Sequence, residues 1–100
     1  MSDLHSEAAD MLFDAILALE NREECYQFFE DLCTITELQA MSQRFHVVRL
    51  LRQGMVYNEV GRLSGASSAT ISRVNRCLQH GAGGYPLLLD RLEAKEAKST

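Results

Sequence analysis

Residues 57–76 of the chain read YNEVGRLSGASSATISRVNR, and this stretch decides the fold. Two short apolar patterns with helical spacing flank a Gly-Ala-Ser turn at 65–67. Gly61 offers the small residue that two closely crossing helices need, and Gly65 offers the left-handed backbone conformation that the turn requires. The stretch therefore predicts a helix-turn-helix motif, with helices at 57–64 and 68–79.

The second helix of this motif presents two different faces. Its inward face consists of Ile71, Val74 and Leu78. The thin core that both helices of the motif bury consists of Val60, Leu63, Ala66, Ile71 and Val74. The outward face of the second helix is small, hydroxylated and basic, and Ser67 is placed to cap its start. Such side chains can approach base edges and thymine methyl groups, and arginines can reach guanines or phosphates. The residues expected to bind duplex DNA are Asn58, Arg62, Ser67, Ser68, Ala69, Thr70, Ser72, Arg73 and Arg76.

The distribution of charge supports this interpretation although the net charge of the chain is −4. Residues 1–40 carry ten acidic residues and one arginine, for a net charge of −9. Residues 44–80 carry six arginines and one glutamate, for a net charge of +5, and residues 81–100 are balanced. Because a phosphate backbone responds to the local field, we expect DNA to meet only the basic middle third.

Length and composition indicate one globular domain. With 100 residues and 46% apolar content, the chain is too short for two domains and too apolar to be disordered. No apolar run approaches the roughly 20 residues of a membrane span, and the acidic N-terminus does not resemble a signal peptide. Three widely spaced cysteines within apolar patterns predict buried, reduced thiols. These features predict a cytoplasmic protein that is not bound to a membrane.

Four further helices are predicted around the motif, and no alternating pattern indicates a strand. Asn21 with Glu24 and Thr36 with Gln39 form pairs that resemble capping boxes. Gly54 is placed to end the third helix. The predicted bounds are about Asp3–Leu19, Arg22–Leu32, Glu37–Gln53 and Leu87–Ala97, the last helix following a flexible Gly81–Gly84 segment and opening at Pro86. The fold class is therefore all-α, with six helices.

The run from Ile35 through Gln43-Arg44 to Leu78 resembles the Trp-repressor family, and Gly83-Gly84-Tyr85 resembles its uncharacterised YerC/YecD-type branch. The similarity covers about residues 10–95. It implies a six-helix Trp-repressor-like fold and an intertwined homodimer, which would bind a near-palindromic operator. It also implies one domain over residues 1–100, with dimerisation helices in 1–54, the helix-turn-helix in 57–79 and a C-terminal helix in 86–97.

The resemblance also implies a candidate effector site at Arg44, Arg73, Val74 and Cys77. In Trp repressors the indole ring of tryptophan lies between two arginines, which correspond to Arg44 and Arg73 here. Val74 stands where those repressors have glycine, and Cys77 stands where a serine helps to bind the amino acid. The added bulk and the lost hydroxyl predict that tryptophan is rejected. In the alternative interpretation, Arg44 is solvated or paired with an acid, and Arg73 serves DNA alone.

We therefore expect a sequence-specific DNA-binding transcription regulator, a repressor rather than an enzyme, with no cofactor or metal. The chain has no glycine loop with the Lys-Ser/Thr pair that cradles phosphates, and His5, His46 and His80 do not form a metal-ligand spacing pattern with the cysteines. Two alternatives stay open. One is a protein–protein interaction module with incidental DNA affinity. The other is a DNA-binding sensor of an aromatic or amino-acid effector.

Overall fold

A computed structural model describes residues 4–99, and among these residues there are six helices and no strand. The helices are α1 (Glu7–Leu17), α2 (Arg22–Leu32), α3 (Ile35–Arg52), α4 (Tyr57–Ser64), α5 (Ser68–His80) and α6 (Gly84–Ser99). The prediction of an all-α fold with six helices is confirmed. Backbone contacts divide the chain into two compact units, the first ending at Leu38 and the second beginning at Gln39. None of the helices within residues 4–99 is long and apolar enough to cross a membrane.

Helix α1 is shorter than predicted. The Ser6 hydroxyl accepts a hydrogen bond of 3.0 Å from the Ala9 N–H, which satisfies one of the free donors at a helix start. The helix therefore begins after Ser6, and the predicted start at Asp3 lies outside the described residues. The predicted end at Leu19 is wrong, because the chain leaves the helix after Leu17.

Helix α2 begins where the sequence predicts. The Asn21 side chain accepts a hydrogen bond of 2.9 Å from the Glu24 N–H. The Glu24 carboxylate accepts a hydrogen bond of 2.9 Å from the Glu20 N–H, one residue before the cap. The two side chains therefore satisfy one donor inside the helix and one in the chain that enters it.

Helix α3 begins two residues earlier than predicted, because a different pair forms its capping box. The Thr34 hydroxyl accepts from the Glu37 N–H at 3.1 Å, and the Glu37 carboxylate accepts from the Thr34 N–H at 2.8 Å. The bond from this N–H is the main reason that the pKa of Glu37 lies below its usual value. The predicted pair Thr36 and Gln39 is wrong, since the ionised carboxylate of Glu37 makes the stronger hydrogen bond.

Within residues 4–38 of the first unit no side chain is fully buried. The rings of Phe28 and Phe29 contact each other edge to face, with their centroids 5.5 Å apart. The large apolar residues that remain exposed in this part of the chain are Leu4, Met11, Phe13, Leu17, Tyr26, Leu32 and Ile35. The first unit therefore presents apolar surface that a single chain leaves open to solvent.

The second unit contains the hydrophobic core. Its buried members are Val47, Val48 and Leu50 of α3, Val60 of α4, Ala66 of the turn, Ile71 and Val74 of α5, and Leu89 of α6. Of the predicted core of the motif, Leu63 is wrong, because its side chain is 44% exposed. The cluster contains Ala66, as predicted, just after Gly65.

Helix α3 ends at a Schellman motif built on Gly54. This residue has φ +84°, its N–H donates to the Leu51 carbonyl at 3.0 Å, and the Met55 N–H donates to the Leu50 carbonyl at 3.3 Å. The predicted role of Gly54 as the residue that stops α3 is confirmed. The helix ends at Arg52, one residue before the predicted bound.

Helix α6 begins at Gly84, so Pro86 is its third residue rather than its first. The first N–H groups of a helix have no acceptor within the helix, and proline therefore fits anywhere in the first turn. The N–H of Leu87, the residue after Pro86, donates to the Gly83 carbonyl at 3.1 Å. The helix also runs past the predicted end at Ala97, as far as Ser99.

The turn between α4 and α5 depends on Gly65. This residue has φ +74°, and its N–H donates to the Gly61 carbonyl at 2.9 Å. The Ser64 hydroxyl donates to the Val60 carbonyl at 2.7 Å and accepts from the Ala66 N–H at 3.1 Å. Gly61 lies close to the turn and to α5: an added Cβ would be 3.6 Å from the Ala66 carbonyl oxygen and from the Ile71 side chain, at ordinary contact distance, so alanine also fits where a small residue is predicted.

We expect Gly65→Ala to lower the free energy of unfolding by about 1–2 kcal/mol, because alanine disfavours a left-handed conformation. The matched control is Gly61→Ala, which should leave stability unchanged or raise it by up to about 1 kcal/mol, because alanine favours helices. Urea unfolding followed by circular dichroism measures both values. Equal losses in the two variants would show that the turn does not depend on the conformation of Gly65.

Candidate nucleic-acid interface

The start of α5 is held by two hydroxyl side chains. The Ser67 hydroxyl accepts from the Thr70 N–H at 3.1 Å and donates to the Thr70 hydroxyl at 3.1 Å. This confirms Ser67 as the cap of α5. These two bonds position the helix start, and the Thr70 hydroxyl, which accepts from Ser67, retains its own hydrogen for a further contact.

Helix α5 separates its faces as the sequence predicts. Ile71 and Val74 are each 2% exposed and lie in the core. Thr70 and Leu78 are half-buried at the boundary between the faces. The exposed face consists of Ser68, Ala69, Ser72, Arg73 and Arg76. The side chains of this face are small near the helix start and basic one to two turns later. Small side chains allow a close approach to the floor of a DNA groove, and the arginines allow longer contacts to the edges of that groove.

Helix α4 contributes Asn58 and Arg62, both of which are exposed. The Arg62 Nε atom lies 3.1 Å and 3.2 Å from the two carboxylate oxygens of Glu59, one turn earlier. This hydrogen bond is the main cause that lowers the pKa of Glu59 and raises that of Arg62. The Glu59 carboxylate therefore offsets the charge of Arg62, while the Nη1 donors of this exposed guanidinium stay available to a phosphate.

Two arginines of the basic middle third are paired with α6. The Arg49 Nη2 atom lies 3.0 Å from a carboxylate oxygen of Glu96. Arg52 contacts Asp90, and its Nη2 atom lies 3.1 Å from Glu93. The positive band is therefore narrower than the charge count predicts. Within residues 4–99, the arginines of the middle third that have no carboxylate partner are Arg44, Arg73 and Arg76.

All four residues of the candidate effector site line one groove of about 400 Å³ in the second unit. The full lining is Ala40, Gln43, Arg44, Thr70, Arg73, Val74, Cys77 and Tyr85. Arg44 is exposed and has no acidic partner among the described residues, so of the two forms of the alternative the structure has the solvated one and not the acid-paired one. The groove joins two guanidinium groups to an apolar floor, an arrangement suited to a small anion with an apolar part.

Four lining residues of this groove are absent from the predicted effector site, namely Ala40, Gln43, Thr70 and Tyr85, of which Thr70 was predicted to bind DNA. The Gln43 Nε2 atom donates to the Ser64 carbonyl at 3.3 Å and so ties α3 to the turn between α4 and α5. Tyr85 is half-buried and packs against the core. Both belong to the segments that carry the family resemblance, and that was the available signal. The role of each depends on contacts with residues far away in sequence.

A second, mostly apolar groove of about 470 Å³ is lined by Phe45, Cys77, Ala82, Gly84, Tyr85 and Leu88.

Cys77 is exposed, so the prediction that it is buried is wrong, while Cys25 and Cys33 are half-buried and all three are free thiols. Cys77 is exposed because it lies on α5 where it lines both grooves. Within residues 4–99 no three His, Cys, Asp or Glu side chains are placed to hold a metal ion.

Comparisons with known proteins agree with this geometry. The family model described as Trp repressor protein matches residues 7–93. The uncharacterized protein YerC of Bacillus subtilis strain 168 is 48% identical over 97 residues, which cover 97% of this chain and 93% of the relative.

Two solved structures are also similar to this chain. One, described provisionally as a Trp repressor from Staphylococcus aureus, has a TM-score of 0.87 and 57% identity over 90% of each chain. The other, a TrpR-like protein from Eubacterium eligens, has a TM-score of 0.87 and 48% identity over 90% of this chain and 93% of its own.

Proposed function

The chain belongs to the Trp repressor protein family, and from this membership we propose that it is a transcription regulator that binds double-stranded DNA as a homodimer. The observation that carries the proposal is the exposed face of α5, where Arg73 and Arg76 lie opposite the buried Ile71 and Val74. A helix with one face locked in a core and a basic, small-residue face outside is suited to the major groove.

Each member of the interface has a distinct part in the proposal. Ser68, Ala69 and Ser72 are short enough to let the helix approach base edges. Arg73 and Arg76 reach guanines or phosphates beside them. The position of the motif on the DNA backbone is fixed by Asn58 and Arg62 of α4 together with the capping pair Ser67 and Thr70.

The exposed apolar surface of the first unit supports the homodimer. Phe13 and Leu17 of α1 and Tyr26 of α2 are among its exposed apolar residues, and burying such surface is favourable by about 25 cal/mol per Å². A second copy of the chain would cover it, as the intertwined dimer of the family does. A two-fold dimer presents two copies of α5, so we expect a near-palindromic operator with half-sites about one helical turn apart.

We further propose that the regulator acts in the cytoplasm as a repressor, and that its effector is not tryptophan. Val74 fills the floor of the groove, and Cys77 supplies a weak hydrogen-bonding thiol in place of a hydroxyl. Arg44 and Arg73 still attract an anionic group. Trp repressors are regulators rather than enzymes, which supports a role without catalysis.

We expect Arg76→Ala to weaken binding to a duplex selected from a random library by about 1–3 kcal/mol, because it removes a direct contact from each copy of α5. Ser68→Glu should abolish binding, because it places a carboxylate against DNA. Arg91→Ala is the matched control, since it removes the same charge from an exposed position on α6 and should have little effect. Fluorescence anisotropy over a range of salt concentrations measures the affinities and their dependence on salt.

Two results would contradict DNA binding through α5. Selection of no duplex at physiological salt would favour the alternative, a protein–protein interaction module. Equal losses in Arg76→Ala and Arg91→Ala would show that only the total charge matters, and not the face of α5.

We expect Phe13→Asp to raise the dissociation constant of the homodimer at least about tenfold, because it buries an unpaired carboxylate in the interface. Val56→Asp, which adds the same charge at an exposed apolar position of the second unit, is the control and should leave the dimer intact. Sedimentation equilibrium measures both. A wild-type monomer at micromolar concentration would contradict the proposed dimer.

We expect isothermal titration calorimetry to detect no binding of tryptophan at millimolar concentration, because Val74 and Cys77 remove space and a hydroxyl from the groove. The paired variant Val74→Ala with Cys77→Ser restores part of both and should bind more tightly than the wild type. Tryptophan binding by the wild type that disappears in Arg44→Ala would contradict the expectation and identify the groove as a tryptophan site.

A further inference from the structure

Helix α6 carries a stripe of carboxylates that faces two arginines of α3. The stripe consists of Asp90, Glu93 and Glu96, which are spaced three residues apart and so lie along one side of the helix. Arg52 contacts the first two, and Arg49 contacts the third at 3.0 Å. The five side chains together have a net charge of −1.

The ion pairs of this stripe are not what holds α6 in place. Leu89 of the same helix is only 1% exposed and lies in the core, with Tyr85 packed against it. Exposed ion pairs contribute about 0–1 kcal/mol to stability, and the carboxylates concerned are largely exposed. Hydrophobic burial therefore anchors α6, and the main effect of the stripe is on the charge of α3.

We propose that Asp90, Glu93 and Glu96 determine specificity by masking Arg49 and Arg52 from DNA phosphates, an inference that rests on the proposed DNA-binding function. The mask leaves Arg44, Arg73 and Arg76 as the unpaired arginines of the middle third in the described part of the chain. DNA is therefore attracted to the face that includes α5 and not to the side of α3 that α6 covers.

The benefit follows from how non-specific binding arises. Each phosphate that a cation neutralises releases counterions, and this term is independent of sequence. A regulator competes for its operator against all other DNA in the cell, so its useful property is the ratio of specific to non-specific affinity. Cations outside the reading face raise only the non-specific affinity. Carboxylates that neutralise those cations raise the ratio.

The test is the variant Asp90→Asn/Glu93→Gln/Glu96→Gln, titrated with a random-sequence duplex over a range of salt concentrations. Its matched control is Glu23→Gln/Glu30→Gln/Asp31→Asn on α2, which changes the net charge equally but frees no arginine. We expect the unmasked variant to gain roughly tenfold in non-specific affinity at 0.1 M salt for each arginine that reaches a phosphate. Its slope of log affinity against log salt should steepen by about 0.9 for each such contact. The control should gain less and keep the wild-type slope.

Adding Arg49→Gln and Arg52→Gln to the unmasked variant should remove the gain, which a purely structural role of the stripe would not predict. Equal gains in the unmasked variant and its control, or a loss of affinity in the unmasked variant, would overturn the proposal. If the triple variant does not fold, Glu96→Gln against Glu30→Gln gives the same comparison for Arg49 alone. A wild-type protein that binds no duplex would overturn the proposed function itself.

Discussion

The burial of Ile71 and Val74 is the constraint on which the rest of the second unit depends. These side chains fix the rotation of α5, so that Ser68, Ser72, Arg73 and Arg76 must face solvent. The Ser67 cap and the left-handed Gly65 fix where the helix starts and the angle at which the chain enters it. Because Ile71 and Val74 set the rotation and Ser67 with Gly65 sets the start, the core and the turn together define the exposed face of α5. A change in packing would move the side chains that are proposed to face DNA without altering any of them.

Features that depend on neighbours in sequence could be predicted from the sequence. Ser67, Asn21 and Gly54 act within one turn of their own helices, and their roles follow from local backbone chemistry. Where two candidate caps compete two residues apart, as at the start of α3, the outcome depends on which carboxylate or amide makes the stronger bond. The inward face of α5 was also predictable because apolar spacing directly reports one buried side.

Features that depend on distant residues could not be predicted. The partners of Arg49 and Arg52 lie about 40 residues later in the chain, and no local pattern pairs them. The groove was located only because the resemblance supplied Arg44 and Arg73 together. The contributions of Gln43 and Tyr85 needed the packing of α3, α5 and α6 to be known.

The groove and the proposed DNA interface share side chains, so neither can change alone. Thr70 and Arg73 line the groove and are also among the residues of α5 proposed to bind DNA. Gln43 lines the groove and bonds to the Ser64 carbonyl at the turn that enters α5. An anion held between Arg44 and Arg73 would reduce the positive charge that faces DNA, whereas an occupant that reinforced the Gln43 bond would steady the turn. Whether an effector would weaken or strengthen DNA binding therefore depends on the charge of the ligand as much as on its shape.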